Sequence, residues 1–411
     1  MLIIGVLLAV LVPLGFATDD GPQDAPATTP VATIARRVQA LRGLRFDRLP
    51  EPVRVSADQA QREGLADLDR GYPVGRRRAD EALYTLLGLL PPGADLKRIS
   101  ASVFGDQVAG YYDPVSKDLR IVKGAGTANR VLDEMVIAHE LTHALDDQAI
   151  GIDVEATDGS DDGPAAYQAL VEGVATEVMY DYLDRHFARD VAFGGLLGGA
   201  FAGTGTGELP PFVVAGLTFP YVTGQAFVAD LMRRAGGRWT LVDLAERDRP
   251  PVSTEQVMHP EKWIRVEVPD DPALGDLGAR LGPGYRRLTA GTFGEWQTAQ
   301  WLGLAGGDRG PAAAGWGGDR YELWRRGAGT PCDTPCTARD VLVMRWRWDT
   351  RRDQAEFARA VEDALRDGLG ARRTGEGAWA LRGGAVAARG GGRDVALAFA
   401  PDLATARKAI D

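Results

Sequence analysis

At 411 residues, with 45% hydrophobic and 25% charged positions, the chain has a globular composition and the length of two or three domains. Its 52 glycines and 24 prolines stay below the roughly 25–30% share that marks low-complexity chains. A net charge of −10 and a pI near 5.1 exclude nucleic acid as a main partner, because phosphate binding needs a basic face, and four histidines with two cysteines exclude zinc-finger arrays and disulfide-stapled miniproteins.

Leu2 to Ala17 is apolar, interrupted by Pro13 and followed by the polar run Thr18-Asp-Asp-Gly21. This is shorter than the roughly 20 residues of a bilayer span and matches a signal-peptide core, with small Gly15 and Ala17 before a cleavage point. Residues 1–17 are therefore expected to be a signal peptide or short membrane anchor; the other reading is a buried N-terminal helix or strand. Export would place the protein outside the cell or in the envelope, with membrane association through residues 2–17 only, and would permit disulfides. Cys332 and Cys336 flank three residues of a Pro-rich loop, which favours a local disulfide over a metal half-site. Residues 18–30, rich in Pro, Ala, Thr and Asp, read as a linker.

Further along, Thr33–Leu44 reads as a helix, Val53–Val55 as a strand, and Ser56 as the cap of a second helix. Ala79–Leu90 is helical until Pro91-Pro92-Gly93. Gln107–Tyr112 and Leu119–Val122 are strands joined by a hairpin turn at Asp113–Lys117. Helices are predicted at Arg130–Gln148, Ala165–Phe187, Tyr221–Arg234 and Thr240–Arg247. Between them, Gly194–Gly207 holds seven glycines and no charge, and reads as either a mobile loop or a tight packing segment. Pro269–Gly284 is a connection.

All nine tryptophans lie from Trp239 onward, so a second, α+β unit is expected over 280–411. Arg320–Arg325 and Val341–Trp348 read as strands. In the latter, Met344, Trp346 and Trp348 alternate with Arg345 and Arg347, the period of a strand buried on one side. Thr350 and Asp353 form a capping box for a helix to Leu365. Strands at Ala378–Arg382 and Asp394–Phe399 and a helix at Asp402–Ile410 follow.

Two of the four histidines fall in His139-Glu-Leu-Thr-His143. On a helix, i and i+4 share a face, so both imidazoles can reach one Zn²⁺. Glu140, rotated about 100° away, can stand beside the metal and act as general base. A third ligand is needed. The candidates are Glu172, Glu177, His186 and His259. Glu172 is flanked by Leu170, Val171 and Val174, and Gly173 permits close helix approach. A buried carboxylate calls for a metal or partner, which makes Glu172 the preferred third ligand. Glu177 lies about 140° further round, and His186 sits at a polar helix end.

The pattern resembles the gluzincin branch of the zincin metallopeptidases. More specifically, it looks like uncharacterised exported bacterial proteins with the H-E-x-x-H motif. The similar stretches are Gln107-Val-Ala-Gly-Tyr-Tyr-Asp-Pro114, Ala138-His-Glu-Leu-Thr-His-Ala-Leu145, Val171-Glu-Gly173, Phe219-Pro-Tyr221, Ser253-Thr-Glu-Gln256, His259-Pro-Glu-Lys262 and, later, Gly315-Trp-Gly-Gly-Asp-Arg320. The resemblance implies an α+β, zincin-like catalytic domain over 31–267: a small mixed sheet with an active-site helix. It also implies one zinc ion on His139, His143 and Glu172, with Glu140 as catalytic base. Many gluzincins carry a carboxylate four residues after the ligand glutamate, orienting the first histidine. Here that position is Thr176, and Asp133, Asp146 and Glu177 are the alternatives for that role.

The expected activity is zinc-dependent hydrolysis of peptide bonds in a peptide or protein substrate, through a zinc-activated water. The strand Gln107–Tyr112 would pair with an extended peptide, as edge strands do. His259 is a candidate catalytic donor to the oxyanion, beside Tyr111, Tyr112 and Tyr221. Its other reading is a structural histidine on a turn. Two alternatives stand against catalysis: a silent zincin fold acting as an envelope binding module, and an interaction protein whose working part is the Trp-rich C-terminal unit.

Overall fold

The computed structural model describes residues 8–11, 29–106, 108–122, 130–152, 162–187, 209–327 and 336–411. The first part runs β1 (Leu8–Leu11), α1 (Val31–Arg42), β2 (Val53–Val55), α2 (Ala57–Gly71), α3 (Val74–Leu86), α4 (Leu96–Asp106), β3 (Val108–Asp113), β4 (Asp118–Val122), α5 (Arg130–Ala149), α6 (Asp162–His186), α7 (Pro211–Arg234), α8 (Thr240–Arg247), α9 (Thr254–Met258) and α10 (Pro260–Ile264). The second runs α11 (Leu277–Leu281), β5 (Tyr285–Gly291), α12 (Gly294–Leu302), α13 (Gly310–Ala313), β6 (Trp316–Arg326), β7 (Asp340–Trp348), α14 (Arg351–Asp363), β8 (Arg372–Gly375), β9 (Ala378–Leu381), β10 (Gly384–Gly391), β11 (Asp394–Ala400) and α15 (Leu403–Ile410). The fold is α+β.

The predicted caps hold. Ser56 accepts the N–H of Gln59, and Thr350 and Asp353 form a reciprocal capping box at α14. The hairpin β3–β4 pairs Gly110 with Ile121 and Asp113 with Asp118, and β2 adds in parallel to β4. The sheet order is β1-β3-β4-β2. That order corrects one expectation. The strand read as a free edge is covered, because β1 pairs antiparallel with β3, setting Leu8 opposite Tyr112 and Ala9 opposite Tyr111. Four residues of the apolar segment, Leu8–Leu11, form that strand. Residues 12–28 (most of the linker), Gln107, Gly194–Gly207 and Cys332 lie outside the described residues. Cys336 is buried and disulfide-bonded.

α7 begins ten residues before the expected Tyr221. Pro211 starts it where no N–H is needed, and Pro220 is carried inside the helix by packing against α6. The second sheet is antiparallel, in the order β5-β6-β7-β11-β10-β9-β8. Its strand β7 differs from the one-sided reading. Leu342, Met344 and Trp346 pack into the main core, while Val341 and Val343 join a separate cluster with Ala406 and Ala409 of α15. Helices cover both faces, so the first half of β7 is buried on both sides.

The two parts share one hydrophobic core, from Leu83 and Phe227 through Trp296 to Trp346 and Phe399. Polar contacts stitch the same seam. Lys262 Nζ lies 2.6 Å from each of Glu255, Glu267 and Asp349, so an ammonium already fills that carboxylate group. Asp162, at the start of α6, accepts from Thr254 N at 2.9 Å and Thr254 Oγ1 at 2.6 Å. Gly294, at φ +82°, is required beside it: a Cβ there would stand 1.8 Å from Asp162 Oδ1.

Burial pushes the Asp162 carboxyl up to about 7, with Asp319 and Glu295 adding to the shift and the Thr254 donors opposing it. The folded chain thus holds a proton between about pH 4 and 7 that the unfolded chain releases. Stability contributed here is present below that window and is lost as pH rises through it. Denaturant unfolding of wild type and Asp162→Asn across pH 4–7 should show the variant with the shallower fall; parallel curves would contradict this role.

Candidate metal centre

α5 is buried on nearly every side, which is why its helical periodicity is blurred. Ala138, Leu141 and Leu145 pack against Ile34, Ala35 and Val38 of α1 and Val178 and Tyr182 of α6. Its remaining face carries His139, Glu140 and His143, all buried. α6 crosses this face and brings in Glu172, which is 0% exposed. His139 Nε2 lies 3.1 Å from Glu172 Oε2, His143 Nε2 lies 3.5 Å from the same oxygen, and the two Nε2 atoms are 3.0 Å apart. Ligands at about 2.0–2.1 Å around a small tetrahedral cation stand about 3.3 Å from one another. The three donors match that spacing before any ion is considered, and they form one of two such groups among the described residues. The other is the group filled by Lys262.

Electrostatics agree with a ligand set. Burial pulls the His139 imidazole down to about 4, against the pull of Glu172, so the ring is neutral at pH 7. Burial works to raise Glu172, but His143 and His139 outweigh it and hold the carboxyl at about 2. A neutral His139 imidazole and an ionised Glu172 carboxylate are protonation states that metal binding requires.

The third helix of the site is α7. Gly173 and Gly224 meet where α6 and α7 cross: a Cβ on Gly173 would come within 2.4 Å of the Gly224 backbone, and one on Gly224 within 2.0 Å of Ala169 O. That approach sets Tyr221 beside the histidines, its ring centroid 6.1 Å from that of His139. The phenol hydrogen-bonds Glu172. Burial, then Glu172 and Glu140, drive its pKa far above the usual value, so it remains a donor at any physiological pH.

Other candidates go elsewhere. His259 does not join the group. Its Nε2 is 2.9 Å from Glu295 Oε1, and the carboxylates raising its pKa are Glu295, Glu261 and Glu255. It ties the α9–α10 turn to α12, on the seam between the two parts. Tyr112 donates to Asp147 at 2.6 Å and Tyr111 to Glu63, so both phenols are engaged away from the histidines. Glu177 accepts from Gln225 at 2.6 Å, and His186 is exposed at the end of α6. Of the three alternative orienting carboxylates, Asp133 is raised by burial against the pull of Arg54, and Glu177 is held by Gln225. Asp146 alone senses His143, one turn on. Burial raises it to about 6 against Arg42 and His143.

Sequence reasoning missed Arg42. Its guanidinium, 0% exposed, binds Asp146 of α5 at 2.8 Å and both Asp243 and Glu246 of α8 at 2.7 Å, over the Trp239 ring. An arginine ending an amphipathic helix carries no mark that it will be buried. The only signal was the excess of acids at helical spacing in α5 and α8.

Because neither glycine at the crossing has room for a methyl group, Gly173→Ala should lower unfolding stability by about 1–3 kcal/mol. It should also shift Glu172 against His139. A variant with unchanged denaturation midpoint would contradict the packing argument.

Residues 281–409 match a family model described as a domain of unknown function (DUF8575). The histidine group lies outside the matched segment. No curated protein and no solved structure matches the chain.

Proposed function

We propose that the protein is an exported zinc metallopeptidase with a zincin-like core, and that His139, His143 and Glu172 hold one Zn²⁺. The observation that carries this reading is the convergence of three buried donors, 3.0–3.5 Å apart, from two helices. When bound, the ion would supply a Lewis acid and lower the pKa of a water towards about 7. Glu140, next to His139 on α5 and buried, accepts the proton from the attacking water and passes it to the leaving amine. Tyr221, protonated throughout, turns its one O–H from Glu172, whose charge the ion would then meet, to the developing oxyanion, the role that His259 was a candidate for. The substrate class is a peptide in extended conformation. Its pairing partner is β3, and this requires Leu8–Leu11 to leave that strand, as signal removal or membrane insertion would make it do.

Two results are expected. Glu140→Gln retains stoichiometric zinc and loses about 10²–10⁴-fold in hydrolysis of fluorogenic peptides, whereas His143→Ala loses the metal itself. Wild type that binds zinc but cuts no peptide in a broad panel would support the silent binding module instead. Removing residues 1–17 should raise peptide turnover relative to the full chain; equal rates would show that β1 does not occupy the substrate edge.

A further inference from the structure

His139 and Thr176 present matching unmet needs. His139 commits Nε2 to the donor group, 3.0 Å from His143 and 3.1 Å from Glu172. When Nε2 offers its lone pair to a cation, the ring proton must sit on Nδ1. Nδ1 is buried and has no hydrogen-bond partner among the described residues. A buried N–H in that state is costly, so the bound form needs an acceptor there. The hydroxyl of Thr176 is likewise buried without a hydrogen-bond partner among the described residues. Thr176 lies one turn beyond Glu172 on α6, and i and i+4 share a face, here the face turned to α5. A buried helical threonine ordinarily bonds the carbonyl four residues back, as Thr142 does with Ala138 O at 2.8 Å. Thr176 does not, and its oxygen remains available. Of the neighbouring carboxylates that could compete, Glu177 is held by Gln225 and Asp146 by Arg42.

We propose that Thr176 is the positioning residue of His139: its hydroxyl accepts the Nδ1–H, directly or across one buried water, and so fixes the tautomer and ring orientation in which Nε2 binds zinc. This rests on the metal reading of the same site. A neutral hydroxyl supplies the acceptor without adding charge, so the whole negative charge of the ligand set remains on Glu172.

The test is zinc affinity, measured by competition with a chromogenic chelator on the full chain, for wild type, Thr176→Val and Thr176→Ser. Valine keeps the shape and removes the acceptor, so it should weaken zinc binding about 10–100-fold. Serine should stay within about threefold of wild type, since it restores the hydroxyl that the role needs. Thermal unfolding of the metal-free proteins adds a readout that separates positioning from packing. The valine variant should be as stable as wild type or more so, because it deletes a buried hydroxyl with no bond to lose. Valine binding zinc as tightly as wild type would overturn the proposal, as would a loss confined to metal-free stability. Wild type that bound no zinc would instead overturn the metal reading on which it rests.

Discussion

The close crossing of α6 and α7 at Gly173 and Gly224 is the constraint on which the site depends. Backbone meets backbone there, with no room for a Cβ on either side. That contact fixes where Glu172 stands, because it is the residue before Gly173. It also fixes Tyr221, one turn before Gly224 on the partner helix. Both side chains therefore reach His139 and His143 from helices whose separation is set by sterics. Functional groups held in this way lose little freedom on binding a ligand, which is the condition for a preorganised metal site.

A buried cluster of ionisable groups is costly unless each charge is answered. Around the histidines the answers are arranged in layers. Glu172 is balanced by the two imidazoles, and Tyr221 donates to it. One turn further along α5, Asp146 is balanced by Arg42, which draws α1 and α8 to the same point. At the far end of α6, Asp162 is met by Thr254 and lies against the C-terminal unit. The helix carrying Glu172 is thus anchored at its start by the seam between the two parts and near its middle by the glycine crossing. The C-terminal unit therefore supports the first part through a shared core, even though the donor residues come wholly from that first part.

The grouping of His139, His143 and Glu172 was legible because its pattern is local. His139, Glu140 and His143 announce themselves by helical spacing, and Glu172 by a carboxylate set among apolar neighbours beside a glycine. Caps were legible for the same reason: Ser56 and Thr350 act within three residues. What escaped was non-local. His259 sits in a motif-like stretch, and only the fold shows that its partner is Glu295, 36 residues on. β10, rich in glycine and alanine, lacks the β-branched signature, and it is a strand because β9 and β11 flank it. β5 carries Arg286 and Arg287 at a sheet edge, where exposed charge hides the alternation. β7 looked one-sided because nothing in its own residues tells that α15, some sixty positions later, will cover its second face.

The most direct measurement is X-ray absorption at the zinc edge on the purified chain, with zinc content determined on the same sample. The geometry predicts one zinc per chain in a shell of nitrogen and oxygen at about 2.0–2.2 Å, with the outer scattering of two imidazoles and no sulfur. A chain without zinc, or a shell containing sulfur, would contradict the assignment of His139, His143 and Glu172 as the metal centre.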